Sequence, residues 1–257
     1  MQRRLLLPTL AAAAVAAVAA SSLLVASASA SRPRTVCPSG CAFTTIPAAL
    51  AAASPGDTIA VGPGSYGGGF TISQDVTLRG AGAGLTTISG TDPSVSCCPQ
   101  GTVTVASGAV VKITGVTIGR FSQDGTNGLV NRGTLTLKES TVRDASAVFG
   151  GGILNSGAMT LQSTLVTHNF ADVGGGIWNS GTMTLDDSVV TANGGSGLSG
   201  GGILNLSTGT LRLNDSTVTD NHVDPMFGTG GGIDNMGTVR LDDSTVTGNT
   251  PSDCVGC

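Results

Sequence analysis

Apolar residues recur at every second position in short segments of the chain, and these segments return at a regular interval. The pattern reads Gly-Gly-Gly-Ile-x-Asn, then x-Leu-x-Leu, then Ser-x-Val-Thr-x-Asn, and one complete copy runs from Gly174 to Asn193. The first asparagines of the five copies are Asn131, Asn155, Asn179, Asn205 and Asn235, so their spacings by subtraction are 24, 24, 26 and 30 residues. A period of two predicts strands, and a repeat of this length predicts a solenoid.

Aligning the copies gives four columns of apolar residues. The columns are Leu129, Ile153, Ile177, Ile203 and Ile233; Leu135, Met159, Met183, Leu211 and Val239; Leu137, Leu161, Leu185, Leu213 and Leu241; and Val142, Val166, Val190, Val218 and Val246. Each copy is too short to bury an apolar face by itself, so neighbouring copies must stack. Short strands separated by Gly, Asn and Asp turns predict a three-sided coil whose strands lie about 4.8 Å apart.

The five first asparagines are predicted to be structural. Inside a turn, their side-chain amides can donate to one neighbouring coil and accept from the other, which forms a ladder. A second column receives the same interpretation, and its members are Asn169, Asn193, Asn221 and Asn249. Ala145 stands at the corresponding position of the first copy, so the second ladder is expected to start one coil later.

Most length differences between the copies fall between the Val-Thr-x-Asn segment and the next Gly-Gly-Gly, as in residues 222–230. Insertions at one corner of a solenoid lie on one face, and that face is often used for binding.

A short helix is predicted before the repeats, over residues 45–54, with Thr45 as N-cap and Pro47 in the first turn. Ile59–Val61 is expected to be the first strand, and degenerate coils continue to residue 118. The helix would cover the N-terminal end of the solenoid, where an open sheet edge favours aggregation. The whole pattern predicts an all-β solenoid of about eight or nine coils.

The repeats resemble the right-handed parallel β-helix of the pectin-lyase-like superfamily over about residues 43–250. The Gly-Gly-Gly-Ile and Val-Thr-x-Asn segments are also similar to the Gly-Gly-Ala-Ile and Phe-x-x-Asn repeats of polymorphic outer-membrane adhesins, with Val-Thr in place of Phe. The resemblance implies a right-handed parallel β-helix, and it implies little about function, because one fold serves many functions.

Residues 1–30 are predicted to be a secretory signal peptide. Arg3 and Arg4 precede an Ala/Leu/Val run, and Ala28-Ser29-Ala30 suits cleavage. The alternative is a membrane anchor, for which the apolar run is long enough. Removing both arginines leaves 10 basic against 16 acidic residues, a net charge of −6, which argues against a nucleic-acid partner. We therefore expect a secreted bacterial protein without a further membrane span.

All six cysteines follow the signal segment, which suits disulfides in an oxidising compartment. They are Cys37, Cys41, Cys97, Cys98, Cys254 and Cys257. We expect local Cys37–Cys41 and Cys254–Cys257 bonds, although six cysteines allow fifteen pairings. The predicted divisions are an N-terminal disulfide-loop segment over residues 31–42, the β-helix over 43–250 and a cysteine tail over 251–257.

An acidic column includes Asp187, Asp215 and Asp243. Stacked carboxylates repel one another unless they are paired, screened or bridged by a cation, and calcium would suit an all-oxygen site. The other interpretation is a turn in which each Asp side chain bonds to the backbone. Calcium is the one cofactor that the sequence suggests.

Arg212 and Arg240 are stacked on another outward column. They could grip a carboxylated sugar in a bidentate manner, or they could pair with the neighbouring acidic residues.

A third outward column is apolar and includes Leu154, Trp178 and Leu204 after Val130. If exposed, this row would mark an interface or a surface for sugar stacking. Alternatively, the variable loops fold over it.

The favoured function is non-catalytic, either an extracellular module that binds a glycan or a surface protein, or a structural rod. The alternative is a polysaccharide lyase or glycoside hydrolase that acts on an acidic glycan with Asp187, Asp215, Asp243, Arg212 and Arg240. The catalytic motifs of β-helix polygalacturonases and pectate lyases are absent from the sequence.

Overall fold

The computed structural model describes residues 34–90, 101–119, 125–224, 226 and 228–257. This part of the chain forms a parallel β-solenoid with one short helix, α1, at Ile46–Ala52. Within it, no helix is long and apolar enough to cross a membrane. The predicted signal peptide and the pair Cys97 and Cys98 lie outside the described residues.

The strands are short and follow one another closely along the chain. In chain order they are β1 (Arg34–Val36), β2 (Asp57–Val61), β3 (Gly64–Gly67), β4 (Phe70–Ile72), β5 (Val76–Arg79), β6 (Thr86–Ser89), β7 (Val103–Val105), β8 (Val110–Thr114), β9 (Thr117–Gly119), β10 (Leu129–Asn131), β11 (Thr134–Lys138), β12 (Thr141–Arg143), β13 (Ser146–Phe149), β14 (Ile153–Asn155) and β15 (Ala158–Gln162). They continue as β16 (Leu165–Thr167), β17 (Phe170–Val173), β18 (Ile177–Asn179), β19 (Thr182–Asp186), β20 (Val189–Thr191), β21 (Gly194–Ser199), β22 (Ile203–Asn205), β23 (Thr210–Asn214), β24 (Thr217–Thr219), β25 (His222–Val223), β26 (Ile233–Asn235), β27 (Thr238–Asp242), β28 (Thr245–Thr247) and β29 (Cys254–Val255).

Three long sheets and one short sheet form the sides of the solenoid. Sheet A has nine strands in the order β1-β2-β5-β8-β11-β15-β19-β23-β27, and sheet B has eight in the order β28-β24-β20-β16-β12-β9-β6-β3. Sheet C has eight strands in the order β29-β26-β22-β18-β14-β10-β7-β4, and sheet D has four in the order β13-β17-β21-β25. Every strand pairs in parallel with its counterpart in the next coil, which confirms the predicted parallel solenoid.

The four predicted apolar columns face the interior. Leu135 pairs with Met159 and Met159 with Met183, and the column of Leu161 and Leu185 runs beside them. These side chains are almost completely buried. The period-two pattern therefore predicted both the strands and their register, because a shift by one residue would turn each column outward.

The first asparagine column forms the predicted ladder. In each step, one Nδ2 donates to the Oδ1 of the next coil: Asn131 to Asn155 at 2.8 Å, and Asn155 to Asn179, Asn179 to Asn205 and Asn205 to Asn235 at 2.7 Å. The same amides also donate to backbone carbonyls, such as that of Gly181 from Asn179. The side chains are buried without losing their hydrogen bonds, which a buried polar group requires.

The second asparagine column is also a ladder, and it starts at the predicted coil. The backbone amide of Ala145 donates to Asn169 Oδ1, and both amides of Asn169 donate to Asn193 Oδ1 at 3.0 Å. At the other end, Asn249 donates to Asp253 Oδ1, so a carboxylate takes the place of the next asparagine.

A hydroxyl column completes the set of ladders and was not predicted. The backbone amide of Thr164 donates to Ser188 Oγ, and that of Ser188 donates to Ser216 Oγ at 3.0 Å. Each hydroxyl donates back to the carbonyl two residues earlier in its own coil. The hydroxyl therefore satisfies two backbone groups at a corner where the strands change direction.

The N-terminal helix is confirmed as Ile46–Ala52, with Thr45 Oγ1 accepting from the amide of Ala48. Ile46 is fully buried against the core. The sheet begins earlier than predicted, because β1 pairs with β2 ahead of Ile59–Val61. The tripeptide Arg34–Val36 is too short for a periodicity to be read from sequence.

Sheet D is a correction to the predicted three-sided coil. Its strands occupy the variable segments between the second asparagine and the Gly-Gly-Gly of the next copy, between sheets B and C. The glycines that follow allow the chain to turn back closely. A Cβ built on Gly176 would lie 2.5 Å from the carbonyl oxygen of Gly202 and 3.0 Å from the Asn193 side chain, so only glycine fits there.

Two disulfides are formed in the described part of the chain. They join Cys37 to Cys41 and Cys254 to Cys257, as predicted, with Cα atoms 5.5 and 6.0 Å apart. Disulfides are consistent with an oxidising compartment.

Candidate functional site

The apolar outward row of sheet C is covered by the chain and does not form an exposed binding face. Leu204 is 2% exposed and Val130 is fully buried, whereas Leu154 and Trp178 are half-buried. The Gly-Gly-Gly segments pass directly over the row, since a Cβ built on Gly174 would lie 3.1 Å from the Cβ of Trp178. The row of Trp178, Leu154 and Leu204 is therefore not a continuous exposed apolar face, and the segments that lie against Trp178 are the Gly-Gly-Gly segments.

Three exposed apolar side chains lie on sheet D, whereas others, such as Leu85 and Met236, lie elsewhere among the described residues. Val148, Phe149 and Phe170 are 54%, 51% and 43% exposed. The alternate positions on the same strands, such as Ala171 and Val223, face inward and are buried. Sheet D thus has one side packed on the solenoid and one side in contact with solvent. The solvent side carries Phe170, whereas Phe149, in register with Val173, is exposed on the edge strand β13.

A row of three residues organises the exposed face of sheet D. Phe170 pairs with Gly194, and Gly194 pairs with His222 on the following strand. A Cβ built on Gly194 would lie 2.7 Å from His222 Cε1, so the imidazole ring lies across the glycine. Phe170 and His222 are two strands apart, which corresponds to about 9.6 Å between their backbones. The imidazole of His222 therefore fills the space that a side chain at Gly194 would occupy, and it lies on the same face as the ring of Phe170.

The second asparagine ladder fixes this row in place. Phe170, Gly194 and His222 each directly follow a ladder asparagine, and the amide of each donates to a backbone carbonyl of the preceding coil at 2.9 Å. Because both the ladder and the strand pairing hold the backbone, the rings project from a rigid surface. Rigid placement of this kind lowers the entropy lost when a ligand binds.

Polar groups surround the rings on the same face. Ser196 Oγ donates to Asp172 Oδ1 at 2.8 Å, and Asp224 Oδ1 accepts from the amide of Met226. Asp172, Ser196 and Asp224 are exposed, as is His222. The face therefore combines apolar rings with hydrogen-bond acceptors and donors.

The two stacked arginines of sheet A are occupied by neighbouring side chains. Arg212 Nη2 and Arg240 Nε both contact Asp242 Oδ2, at 2.9 and 2.8 Å. Arg212 Nε also donates to Asn214, whose amide donates to Asp186. The alternative of pairing with acidic neighbours is what the structure has, although the side chains of Arg212 and Arg240 remain exposed.

The corner carboxylates do not converge with these arginines. Asp187, Asp215 and Asp243 have left-handed backbone conformations, with φ of 48°, 47° and 47°, which confirms a turn. Their side chains are exposed, and among the described residues no hydrogen bond or ion pair reaches them. The expected bonds from these side chains to the backbone are absent. Asp tolerates the left-handed conformation better than most residues, which is its role here.

No group of three or more His, Cys, Asp or Glu side chains suited to a metal ion occurs among the described residues. A calcium ion at Asp187, Asp215 and Asp243 would therefore need carboxylates to rearrange around it.

One carboxylate has a clearly perturbed acidity, and its role is structural. The amide of Ser54 and the guanidinium of Arg34 both donate to Asp57 Oδ2 at 2.9 Å, and together they lower the pKa of Asp57. Asp57 joins the end of α1 to the first strand of sheet A. It lies at the N-terminal end of the solenoid, away from sheet D.

Comparison with solved structures confirms the fold. A pectin methylesterase from Aspergillus niger, in deglycosylated form, superposes with a TM-score of 0.55 and 16% sequence identity, covering 87% of this chain and 88% of that chain. A second structure of that enzyme, deglycosylated to an N-acetylglucosamine stub, gives 0.53 and 15% with the same coverage. The chain thus shares its parallel β-helix fold with these pectin methylesterase structures, whereas the adhesin likeness remains a resemblance between repeats.

No protein-family model matches the chain, and the search of curated proteins gives no match. At such low identity, the structural similarity shows the fold alone.

Proposed function

We propose that this protein is a secreted, non-catalytic module that binds a neutral glycan on the exposed face of sheet D. The observation that carries the proposal is that the side chains of Phe170 and His222 lie on this exposed face, with the imidazole of His222 over the buried Gly194 between them. A sugar ring has an apolar face that stacks on aromatic side chains and a polar edge that needs hydrogen-bond partners.

The polar neighbours of the row favour a neutral sugar over an acidic one. Asp172 and Asp224 are exposed carboxylates on this face, and carboxylates accept hydrogen bonds from sugar hydroxyls. The same carboxylates would repel an acidic glycan. The imidazole of His222 covers the buried Gly194, so a sugar would stack on this ring and on the neighbouring ring of Phe170.

Two further features support an extracellular binding module. The two disulfides suit secretion, as does the signal peptide predicted from the sequence. The fold is shared with an enzyme whose substrate, by its name, is the polysaccharide pectin. The arginines that an acidic-glycan enzyme would use are bonded to Asp242 and Asn214, which favours binding over catalysis.

The proposal is tested by a glycan screen with the protein expressed from the full chain, with and without calcium, in which binding and released product are read in parallel. We expect a neutral oligosaccharide to bind and Phe170→Ala to weaken its binding about tenfold, because a lost stacking contact of about 1.4 kcal/mol corresponds to that factor. Leu85→Ala is the matched control, because Leu85 is 57% exposed on another part of the solenoid.

Two results would overturn the proposal. One is equal loss of binding in the Phe170 and Leu85 variants while both keep the wild-type melting temperature. The other is released product that disappears in Arg212→Ala or Asp215→Ala, which would make the protein an enzyme acting on a glycan.

A further inference from the structure

A cleft of about 320 Å³ lies on the outward side of the first strands of sheet A. Its lining includes Thr35, Thr58, Ala60, Arg79, Ala81 and Cys41. Thr35, Ala60 and Arg79 are neighbours on three successive strands, since Thr35 pairs with Ala60 and Ala60 with Arg79. The loop closed by the Cys37–Cys41 disulfide borders the cleft.

Arg79 projects from this surface without a partner. It is exposed, and among the described residues no hydrogen bond or ion pair engages its guanidinium. Lys112 stands on the adjacent strand β8, two residues away in register, which places its Cα about 8 Å from that of Arg79. Lys112 is also exposed and has no partner among the described residues.

The carboxylates near this surface are engaged elsewhere. Asp57 is bonded to Arg34 and to the amide of Ser54, and Asp75 accepts from the amide of Val110. Arg79 is thus a charged side chain that lines the cleft and has no carboxylate partner among the described residues, in a chain with a formal net charge of −4. Two unpaired cations on neighbouring strands, next to a cleft, are a surface to which anions are attracted.

We propose that this cleft binds a small carboxylate-bearing ligand, with Arg79 as the primary contact and Lys112 as the second. The planar guanidinium can donate two parallel hydrogen bonds to one carboxylate, and the ammonium supplies a point charge to a second acceptor. The hydroxyls of Thr35 and Thr58 offer hydrogen bonds, and Ala60 and Ala81 offer apolar contact. The site is separate from the exposed face of sheet D and does not depend on it.

Arg240, at the other end of sheet A, differs from Arg79 in having a carboxylate partner. Arg240 is on the outward side of β27, as Arg79 is on that of β5, but Arg240 is bonded to Asp242. An exposed cation that already has a carboxylate gains little from a second one. Arg240→Gln is consequently a matched control for Arg79→Gln.

The test is a titration of the full-chain protein, followed by amide NMR shifts, with D-glucuronate, glutarate and D-glucose. We expect D-glucuronate to bind at roughly millimolar concentration and D-glucose not to bind, because the two differ at the carboxylate. If glutarate binds as well as D-glucuronate, the site accepts small organic acids in general. If D-glucuronate binds and glutarate does not, the ligand is an acidic sugar. Either pattern supports a carboxylate site.

The variants decide whether Arg79 carries the binding. We expect Arg79→Gln to weaken D-glucuronate binding at least tenfold, Lys112→Gln to weaken it severalfold, and Arg240→Gln to leave it unchanged, all with wild-type melting temperatures. The site is refuted if the wild type does not bind D-glucuronate, if D-glucose binds equally well, or if Arg79→Gln binds like Arg240→Gln.

Discussion

Several side chains in this solenoid form hydrogen bonds with the equivalent side chains of the neighbouring coils. Asn179 is one member of a ladder, yet it accepts from Asn155 and donates to both Asn205 and the carbonyl of Gly181. A side-chain amide carries both donors and an acceptor, so it can bond to the coil on each side at once. Each asparagine therefore depends on its neighbours, and a change in the middle of the ladder affects two other side chains.

Asn179→Ala is expected to lower the free energy of unfolding by about 1–3 kcal/mol, because it leaves the buried Asn205 Oδ1 without its donor. Asn235→Ala is the control. Asn235 ends the ladder and is only half-buried, so we expect less than about 1 kcal/mol there. Urea denaturation of both variants measures the difference, and equal losses would contradict the ladder as a stabilising element.

The carboxylate of Asp57 makes stability depend on pH. Its pKa is lowered in the folded protein by the amide of Ser54 and by Arg34, so its contribution is present above the unfolded pKa of about 3.9 and is lost as the pH falls through the folded pKa. We expect the stability difference between wild type and Asp57→Asn to be constant from about pH 7 to pH 5 and to shrink below about pH 4.

Urea denaturation at each pH gives this difference directly. A difference that stayed constant down to about pH 3, or that grew as the pH fell, would show that Asp57 gains nothing from being charged in the folded state.

At the scale of the strands, burial varies along a column. Leu185 and Leu241 occupy the same column, but Leu185 is fully buried between neighbouring coils whereas Leu241, on the last strand of sheet A, is 39% exposed. Because each coil contacts only its neighbours, a residue on the last strand has lost half of its packing partners.

Leu185→Ala is expected to lower the free energy of unfolding by about 3 kcal/mol and Leu241→Ala by about 1 kcal/mol, since a cavity is left only at the buried site. The urea midpoints of the two variants test this order. Equal midpoints would mean that the last coil is packed as tightly as the central ones.

The strands of sheets A, B and C could be predicted from sequence because their side chains alternate and repeat. Sheet D could not, since its strands fall in the segments whose length and composition vary, such as the glycine-rich Gly194–Ser199. The direction of Trp178 was predicted correctly, but its covering depends on the backbone of Gly150 and Gly174, which no pattern of side chains reveals. The exposed rings of Phe149 and Phe170 lie in those same variable segments.

The ion pairing at the candidate sites could not be predicted from the repeat pattern either. Sequence suggested the stacked Arg212 and Arg240 as a grip for an anion, because stacking is visible in a repeat. It also offered pairing with the neighbouring acidic residues, but it did not show that Asp242 alone contacts both arginines. It gave no sign that Arg79 would stand beside a cleft. Ion pairing depends on side-chain geometry, and a column position does not determine it.

At the scale of the whole molecule, different sheets of the solenoid carry different exposed side chains. Sheet D presents aromatic rings with exposed carboxylates, whereas the N-terminal part of sheet A presents unpaired cations beside a cleft. Each coil carries one strand of sheets A, B and C, so a substitution on one side changes that surface without altering the others. This separation makes the two proposed sites independently testable.

The most direct test of glycan binding on sheet D is a map of amide NMR shifts during titration with the neutral oligosaccharide that binds in the screen. We expect the largest shifts at Phe170, Gly194 and His222 and at the flanking Asp172, with little change at Arg212 and Arg240. Largest shifts on the outward side of sheet A around Arg212 and Arg240, with sheet D unchanged, would contradict the account and move the binding site to the other side of the solenoid.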